Sequence, residues 1–180
     1  MKVLVAVASK YGATKEIAER IAEKLTTSGH QAVVQPANSV PAVNGYDAFV
    51  IGSAVYMGHW MKDALAFARS NRDVLVHQPV WLFSSGPLAT ETPTTEGEDP
   101  RKAAEPEELP ELTDSLLPRG HRVFYGVLNP GKLSFRDRLI RMLPAGRKLL
   151  PEGDFRDWGD VDRWAAEIAD GLGTGGKSAA

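Results

Sequence analysis

Cysteine is missing from all 180 residues of this sequence. Its absence excludes structural disulfides, thiolate nucleophiles, CxxC redox centres and zinc or iron–sulfur sites built on cysteine. The hydrophobic fraction of 43% is that of a globular protein, and a chain of this length buries roughly 70% of the surface that it exposes when unfolded. An apolar core can therefore stabilise the fold unaided, and any redox chemistry has to come from a bound cofactor.

An excess of positive charge and a long apolar run are missing as well. The formal net charge is -2, whereas nucleic-acid binding depends on clustered positive charge, so we expect no nucleic-acid partner. The apolar run over residues 2–8 is too short to span a bilayer and lacks the small-residue cleavage site of a signal peptide. These features predict a cytoplasmic protein.

Histidine is sparse, the G-x-S-x-G motif of serine hydrolases is absent, and a Walker A spelling occurs without the structure that it needs. The four histidines are scattered without HExxH spacing, so no metal site is predicted, and no G-x-S-x-G elbow occurs. Residues 171–178 spell a Walker A motif, but a phosphate-binding loop of that kind needs a strand before it and a helix after it. Residues 173–180 are instead interpreted as a flexible tail.

Apolar runs typical of strands alternate with stretches of helical periodicity. Ile17, Ile21 and Leu25 recur every four residues before Gly29, which predicts an amphipathic helix with a glycine stop. Such alternation predicts an α/β fold with a parallel sheet and right-handed crossovers. Five strands are predicted over residues 2–8, 31–35, 48–53, 79–84 and 122–128, and two further helices over 61–72 and 160–172.

Two segments of opposite charge lie in the second half of the chain. Within the insert 88–118, residues 91–114 carry nine acidic and two basic side chains, a net charge of -7, which favours partial disorder or a lid ordered by a ligand. Residues 119–148 carry eight basic and one acidic side chain, a net charge of +7. Their amphipathic part, 132–148, either packs on the sheet or docks on an anionic membrane or an acidic partner.

Three loops at the carboxyl ends of predicted strands are the candidate site, because ligands of open α/β sheets bind at that edge. The first loop can surround a phosphate monoester with hydroxyls and backbone amides at a helix N-terminus, and its glycine lets the backbone approach closely. The alternative is an ordinary turn in which Thr14 caps the helix. The loop consists of Ser9, Lys10, Tyr11, Gly12, Ala13 and Thr14.

The two other loops are suited to a planar heteroaromatic ring, because they combine aromatic side chains, small residues and backbone donors. Taken singly, either one is equally compatible with an ordinary connection. The candidate ring-binding residues are Ala54, Val55, Tyr56, Met57 and Gly58 in one loop and Ser85, Gly86, Pro87 and Leu88 in the other.

The S-K-Y-G-A-T loop, the order of elements and these two loops resemble the flavodoxin-like fold. The resemblance covers about residues 1–172 and implies a single doubly wound domain, strand order 2-1-3-4-5, with an insert after the fourth strand. It also implies FMN as cofactor, with the phosphate in the first loop and the isoalloxazine between the other two. More closely, I-G-S-A-V-Y-M-G-H-W, residues 124–128, the basic segment and Asp157-Trp158 are similar to the menaquinone-dependent protoporphyrinogen oxidase group.

The resemblance implies a flavin-dependent oxidoreductase that passes electrons to a quinone or a redox protein, with peripheral membrane contact through residues 132–148. No side chain is predicted to be catalytic, because the flavin carries the chemistry. The insert departs from that group by being acidic, and long-range electrostatics would not draw a carboxylate-bearing tetrapyrrole towards it. The alternatives are a flavodoxin-type electron carrier, a deazaflavin-binding protein and a cofactor-free binding module of the same fold.

Overall fold

The computed structural model describes residues 1–86, 100–128, 131 and 152–173. The predictions for Pro87, Leu88, the basic segment 132–148 and most of the tail lie outside these residues. In chain order the strands are β1 (Lys2–Ala8), β2 (Gln31–Pro36), β3 (Ala48–Tyr56), β4 (His59–Trp60), β5 (Val80–Ser85), β6 (Gly120–Phe124), β7 (Val127–Leu128) and β8 (Gly153–Asp154). The helices are α1 (Ala13–Thr27), α2 (Lys62–Ser70), α3 (Arg72–Leu75), α4 (Pro100–Ala103), α5 (Leu109–Leu116) and α6 (Trp158–Leu172).

Five parallel strands form the main sheet in the order β2-β1-β3-β5-β6. Counting parallel strands alone, this is the order 2-1-3-4-5, so the predicted doubly wound α/β fold is confirmed. The register places Ala8 opposite Ser53 and Ser53 opposite Ser84, so the strands β1, β3 and β5 end side by side. Their carboxyl ends therefore bring the three candidate loops to one edge of the sheet.

The central strands are buried on both faces, as their continuous apolar runs predict. Alternate residues of β1 point to opposite faces: Val3, Val5 and Val7 pack with α1 and α6, whereas Leu4 and Ala6 pack with α2 and α5. None of the helices in the described ranges is both long and apolar enough to cross a bilayer.

The acidic insert contributes two helices to the described part of the chain. α5 buries Leu112 and Leu116, which are 1% exposed, in the apolar cluster beneath the sheet. α5 is also tied to α2, because Glu111 accepts two hydrogen bonds from the guanidinium of Arg69, at 2.8 and 2.7 Å. Composition alone did not indicate this packing, because two leucines on one helix face are enough to anchor a segment that is otherwise mostly polar.

The predicted fifth strand, 122–128, is wrong in its extent. β6 begins at Gly120 and ends at Phe124, and β7 leaves the main sheet to pair antiparallel with β8. The break falls beside Gly126, where an added Cβ would lie 3.4 Å from the backbone of Gly86. A continuous apolar run does not reveal a change of pairing partner, because both ladders favour the same residue types.

Candidate functional site

The first loop joins β1 to α1 through a left-handed glycine. Gly12 is the residue preceding α1, with φ 92° and ψ -19°, and no side chain caps the helix. Its N–H donates to Ser9 Oγ at 3.1 Å, and its carbonyl accepts from Glu16 N–H at 2.9 Å. Thr14, 2% exposed, lies in the first turn, so the alternative that Thr14 caps the helix is wrong. The first-turn N–H groups of a helix have no intrahelical partner, and here they face the loop without a cap.

Two tyrosines and a lysine connect the first loop to the end of β3. The rings of Tyr11 and Tyr56 meet edge to face, with centroids 6.4 Å apart and an interplanar angle of 79°. Lys10 Nζ lies 4.8 Å from the centroid of Tyr11 and 5.4 Å from that of Tyr56. The ammonium group therefore contacts both ring systems, and the edge carries a positive charge beside the uncapped helix N-terminus.

The end of β3 turns back on itself as a tight hairpin. Tyr56 pairs with His59 across the two-residue connection Met57-Gly58. Tyr56 is 41% exposed and Met57 is 96% exposed, so both side chains are available at the surface. The predicted ring-binding residues of this loop thus present one aromatic and one apolar side chain beside the first loop.

The ends of β5 and β6 complete the row of turns. Gly86 N–H donates to Phe124 O at 3.3 Å, and a Cβ on Gly86 would lie 3.0 Å from Val55 O. Ala54 and Ser85 are 6% and 2% exposed, so these two predicted residues lie within the strand ends rather than at the surface. The described residues of the three loops are therefore adjacent, as the sheet order requires.

A fourth segment reaches this edge, although the sequence analysis did not identify it. Phe155 N–H donates to Gly126 O at 3.2 Å. Arg156 makes two contacts with Asp154, with Nε at 2.8 Å and Nη2 at 2.6 Å, and its Nη1 reaches Glu16 in the first turn of α1 at 2.6 Å. This clamp fastens the segment before α6 to the helix that begins at the candidate phosphate loop. Local sequence around Asp154 and Arg156 could not predict this contact, because Glu16, the third member, is remote in sequence.

A second group of residues that sequence reasoning missed lies at the turn after Met57. His59 Nδ1 is 2.9 Å from Glu108 Oε1, and Trp60 N–H donates to Glu108 Oε2 at 3.2 Å. The hydrogen bond to Glu108, assisted by the charge of Glu107, raises the pKa of His59 above its ordinary value. Burial acts to raise the pKa of Glu108, but the hydrogen bonds from Trp60 and His59 outweigh it and hold that pKa below its ordinary value.

Behind the edge, a buried polar chain joins three elements. Trp60 Nε1–H donates to Ser84 Oγ at 2.8 Å, and Ser84 Oγ lies 2.9 Å from His121 Nε2. Burial lowers the pKa of His121 to about 4, so its ring is neutral at pH 7, and its Nε2 forms a hydrogen bond with the Ser84 hydroxyl whose direction is set by the tautomer. Ser84 is fully buried, and this hydrogen-bonded network holds β4, β5 and β6 together.

One cleft of the described residues lies away from this edge. It has a volume of about 540 Å³ and follows the open side of β6 between α4 and α6. Arg101 and Arg122 on its wall already pair with Asp160, at 3.4 and 3.5 Å, and Arg122 also pairs with Glu167. The candidate loops do not line this cleft, and its Arg101 and Arg122 already have carboxylate partners.

This chain is similar to a known family in sequence and to known proteins in fold. Residues 4–147 match the family model described as flavodoxin domain, and no curated protein matches the sequence. Among solved structures, a flavodoxin from Pseudomonas aeruginosa is similar at 20% identity with a TM-score of 0.59, covering 96% of this chain and 99% of that one. Flavodoxin 2 from Bacillus cereus gives 20% identity and a TM-score of 0.59, with 95% and 99% covered.

A multidomain protein contains the same fold. The rubredoxin oxygen:oxidoreductase of Desulfovibrio gigas is 13% identical with a TM-score of 0.60, covering 95% of this chain and 36% of that one. Identities this low bear on the fold alone, whereas the family match is one of sequence and includes all the candidate loops. Because that match spans most of the 180 residues, the chain belongs to the flavodoxin domain family.

Proposed function

We propose that this protein binds FMN non-covalently at the carboxyl edge of the sheet and acts as an electron-transferring oxidoreductase. One observation carries the proposal: an uncapped helix N-terminus at a left-handed glycine lies beside the exposed aromatic ring of Tyr56. Backbone amides at such a terminus suit a phosphate, and an aromatic side chain suits a flat ring. FMN contains both groups, and its isoalloxazine supplies the redox chemistry when bound.

The residues of the first loop fit the phosphate end of this cofactor. The donors there are neutral amides and hydroxyls, supplemented by the ammonium of Lys10. A hydrogen bond to a charged group stabilises more than one to water. A ligand lacking the phosphate would leave the amides of Ala13 and Thr14 bonded only to water, and it would therefore bind less tightly. The loop is therefore proposed to distinguish phosphorylated from unphosphorylated flavins.

The test is to titrate the flavin-free protein with FMN, riboflavin and a phosphorylated deazaflavin, after recording the absorbance spectrum of the protein as purified. We expect FMN to bind at least about tenfold more tightly than riboflavin, because a charge-assisted hydrogen bond contributes about 1.5–3 kcal/mol. Equal affinity for riboflavin would remove the phosphate assignment. No binding of any flavin would favour a cofactor-free module, and preference for the deazaflavin would replace FMN.

A finer proposal is that the protein passes electrons to a quinone, as the resemblance of the segment around Tyr56 to menaquinone-dependent protoporphyrinogen oxidases implies. The net charge of +7 over residues 119–148 supports this over a carrier, because typical flavodoxin carriers are broadly acidic. The same segment is proposed to give peripheral contact with an anionic membrane.

Two measurements separate these roles. Chemically reduced protein is mixed with a menaquinone analogue, with free reduced FMN at the same concentration as the control. Reoxidation faster than that of free FMN supports the quinone role, and reoxidation no faster than the control overturns it. Sedimentation with vesicles containing phosphatidylserine, compared with purely zwitterionic vesicles, tests the membrane contact. Equal recovery from the two kinds of vesicle would remove the membrane proposal.

A further inference from the structure

The turn between β3 and β4 has an unfavourable backbone conformation for its sequence. Met57 and Gly58 both have positive φ, 52° and 81°, as a two-residue hairpin of this type requires. Glycine and asparagine adopt this region readily, whereas a methionine is penalised because its Cβ crowds the carbonyl oxygen. Met57 is 96% exposed, so burial of its side chain does not offset the penalty. Interactions outside the turn must hold it in place.

Three hydrogen bonds from the acidic insert reach consecutive residues of this hairpin. Glu107 N–H donates to Gly58 O at 2.8 Å. Glu108 uses both carboxylate oxygens, one with His59 Nδ1 at 2.9 Å and the other accepting from Trp60 N–H at 3.2 Å. The Glu108 side chain is only 16% exposed, so its bond to the Trp60 amide is partly shielded from water, whereas the His59 ring is 52% exposed.

The insert is itself anchored to the rest of the fold, so these hydrogen bonds can restrain the conformation of the turn. α5 begins at Leu109, immediately after Glu108, and its buried Leu112 packs in the core. Its Glu111 is bound by Arg69 of α2, which holds the helix at a second point. The charged groups that act on His59 and Glu108 from the surrounding described elements are Glu107 and Arg69.

We propose that Glu108 is a positioning residue of the flavin site: by bonding His59 and Trp60 it holds the Met57-Gly58 turn in the conformation that presents Tyr56 to the cofactor. The inference rests on the proposed function for its consequence, since Tyr56 is the aromatic residue assigned to the flavin ring. It adds that Glu107 and Glu108, which lie well beyond the loop that ends at Leu88, belong to the binding site.

Flavin affinity of matched variants tests the proposal. Glu108→Ala removes both acceptors, and we expect FMN binding to weaken about tenfold, which corresponds to about 1.4 kcal/mol. Glu111→Ala, a change of the same kind in the same segment, should alter the affinity less than about twofold, because Glu111 bonds Arg69 and not the hairpin. Glu108→Ala should weaken FMN binding less in a Met57→Asn background than in wild type, because asparagine tolerates a left-handed conformation and the turn then needs less support. The comparison within that background cancels any contact that the Met57 side chain makes with the ring.

Two outcomes would overturn the inference. Equal losses in Glu108→Ala and Glu111→Ala would mean that the insert acts through overall stability. An equal loss from Glu108→Ala in wild type and in the Met57→Asn background would mean that the backbone of the turn is not what Glu108 controls. A smaller loss in the Met57→Asn background, where none of the Glu108 hydrogen bonds is restored, is a result that a merely structural role would not produce.

Amide hydrogen exchange in the flavin-free protein separates this inference from the proposed function. We expect the His59 amide, which lies opposite Tyr56 across the turn, to exchange faster in Glu108→Ala, to be unchanged in Glu111→Ala, and to slow again when Met57→Asn is added. If wild-type protein fails to bind FMN but this exchange pattern holds, the proposed function fails and the control of the turn by Glu108 stands. If FMN binds and the exchange is unaffected by Glu108→Ala, the positioning role fails alone.

Discussion

Replacing Gly12 by alanine is the most direct test of the phosphate loop, because the chain offers a matched control at the other end of the same helix. Gly12 precedes α1 with φ 92°, and Gly29 follows it with φ 90°. A Cβ built on either glycine meets no heavy atom within 4 Å. The two substitutions therefore share a backbone penalty and lack a steric one.

The expected loss of stability can be worked out from this geometry. A non-glycine residue in the left-handed region costs about 1–2 kcal/mol, so Gly12→Ala and Gly29→Ala should lower the free energy of unfolding by that amount each. Urea denaturation of the flavin-free proteins measures it. Agreement between the two variants would show that the loop at Gly12 has no structural role beyond its backbone conformation.

Flavin titration should then separate the two variants. A methyl group at Gly12 lies in the loop where the backbone has to approach the phosphate closely, so Gly12→Ala should bind FMN at least about tenfold more weakly than wild type. Gly29→Ala should keep wild-type affinity, and riboflavin should bind both variants equally. Equal FMN affinity in Gly12→Ala and Gly29→Ala would refute the assignment of the phosphate to this loop.

Three other predictions follow from packing and protonation. Gly52→Ala should lower the free energy of unfolding by about 1–3 kcal/mol or more, because its Cβ would overlap the buried ring of Phe83. Gly120→Ala should leave the free energy of unfolding unchanged, because its Cβ meets only ordinary contacts. Thermal denaturation of both variants measures the difference. Burial lowers the pKa of His121 to about 4, so the contribution of its neutral ring to the free energy of unfolding is present above pH 6.5 and is lost as the pH falls. Between pH 7 and 4, wild type should therefore lose about 3 kcal/mol more stability than His121→Gln. Equal acid sensitivity would contradict a neutral buried ring. Because Glu108 raises the pKa of His59, the stabilisation from the His59–Glu108 pair is present below pH 6.5 and is lost as the pH rises through the raised pKa. NMR titration should give a His59 pKa above 6.5 in wild type and a lower one in Glu108→Gln.

Much of the fold was predictable from local pattern. Continuous apolar runs identified the strands, and the four-residue spacing of Ile17, Ile21 and Leu25 identified α1, because side chains of a buried strand or of one helix face must meet the core at fixed intervals. The first loop was predictable for a similar reason. A glycine between a buried strand and an amphipathic helix marks the helix N-terminus, and the structure places Gly12 there with positive φ.

Other elements depended on partners that are distant in sequence. The two-residue strand β4 exists because Trp60 and His59 pair with β3 and bond Ser84 and Glu108, and no two-residue pattern predicts such pairing. The acidic insert showed only low hydrophobicity and excess charge, so its helices at Pro100–Ala103 and Leu109–Leu116 were not expected. Their stability comes from contacts with α2 and the sheet, which composition does not encode.

The sequence by itself determined the α/β architecture, the buried strands and the glycine-bearing loop at the start of α1, because each depends on residues that are neighbours along the chain. Only the tertiary structure decided that Glu108 bonds the hairpin beside Tyr56, that Arg156 ties the last segment to Glu16, and that His121 is buried and neutral. Those features arise where the sheet order brings remote segments to one edge, and the strength of each contact depends on distance and burial, which chain order alone does not specify.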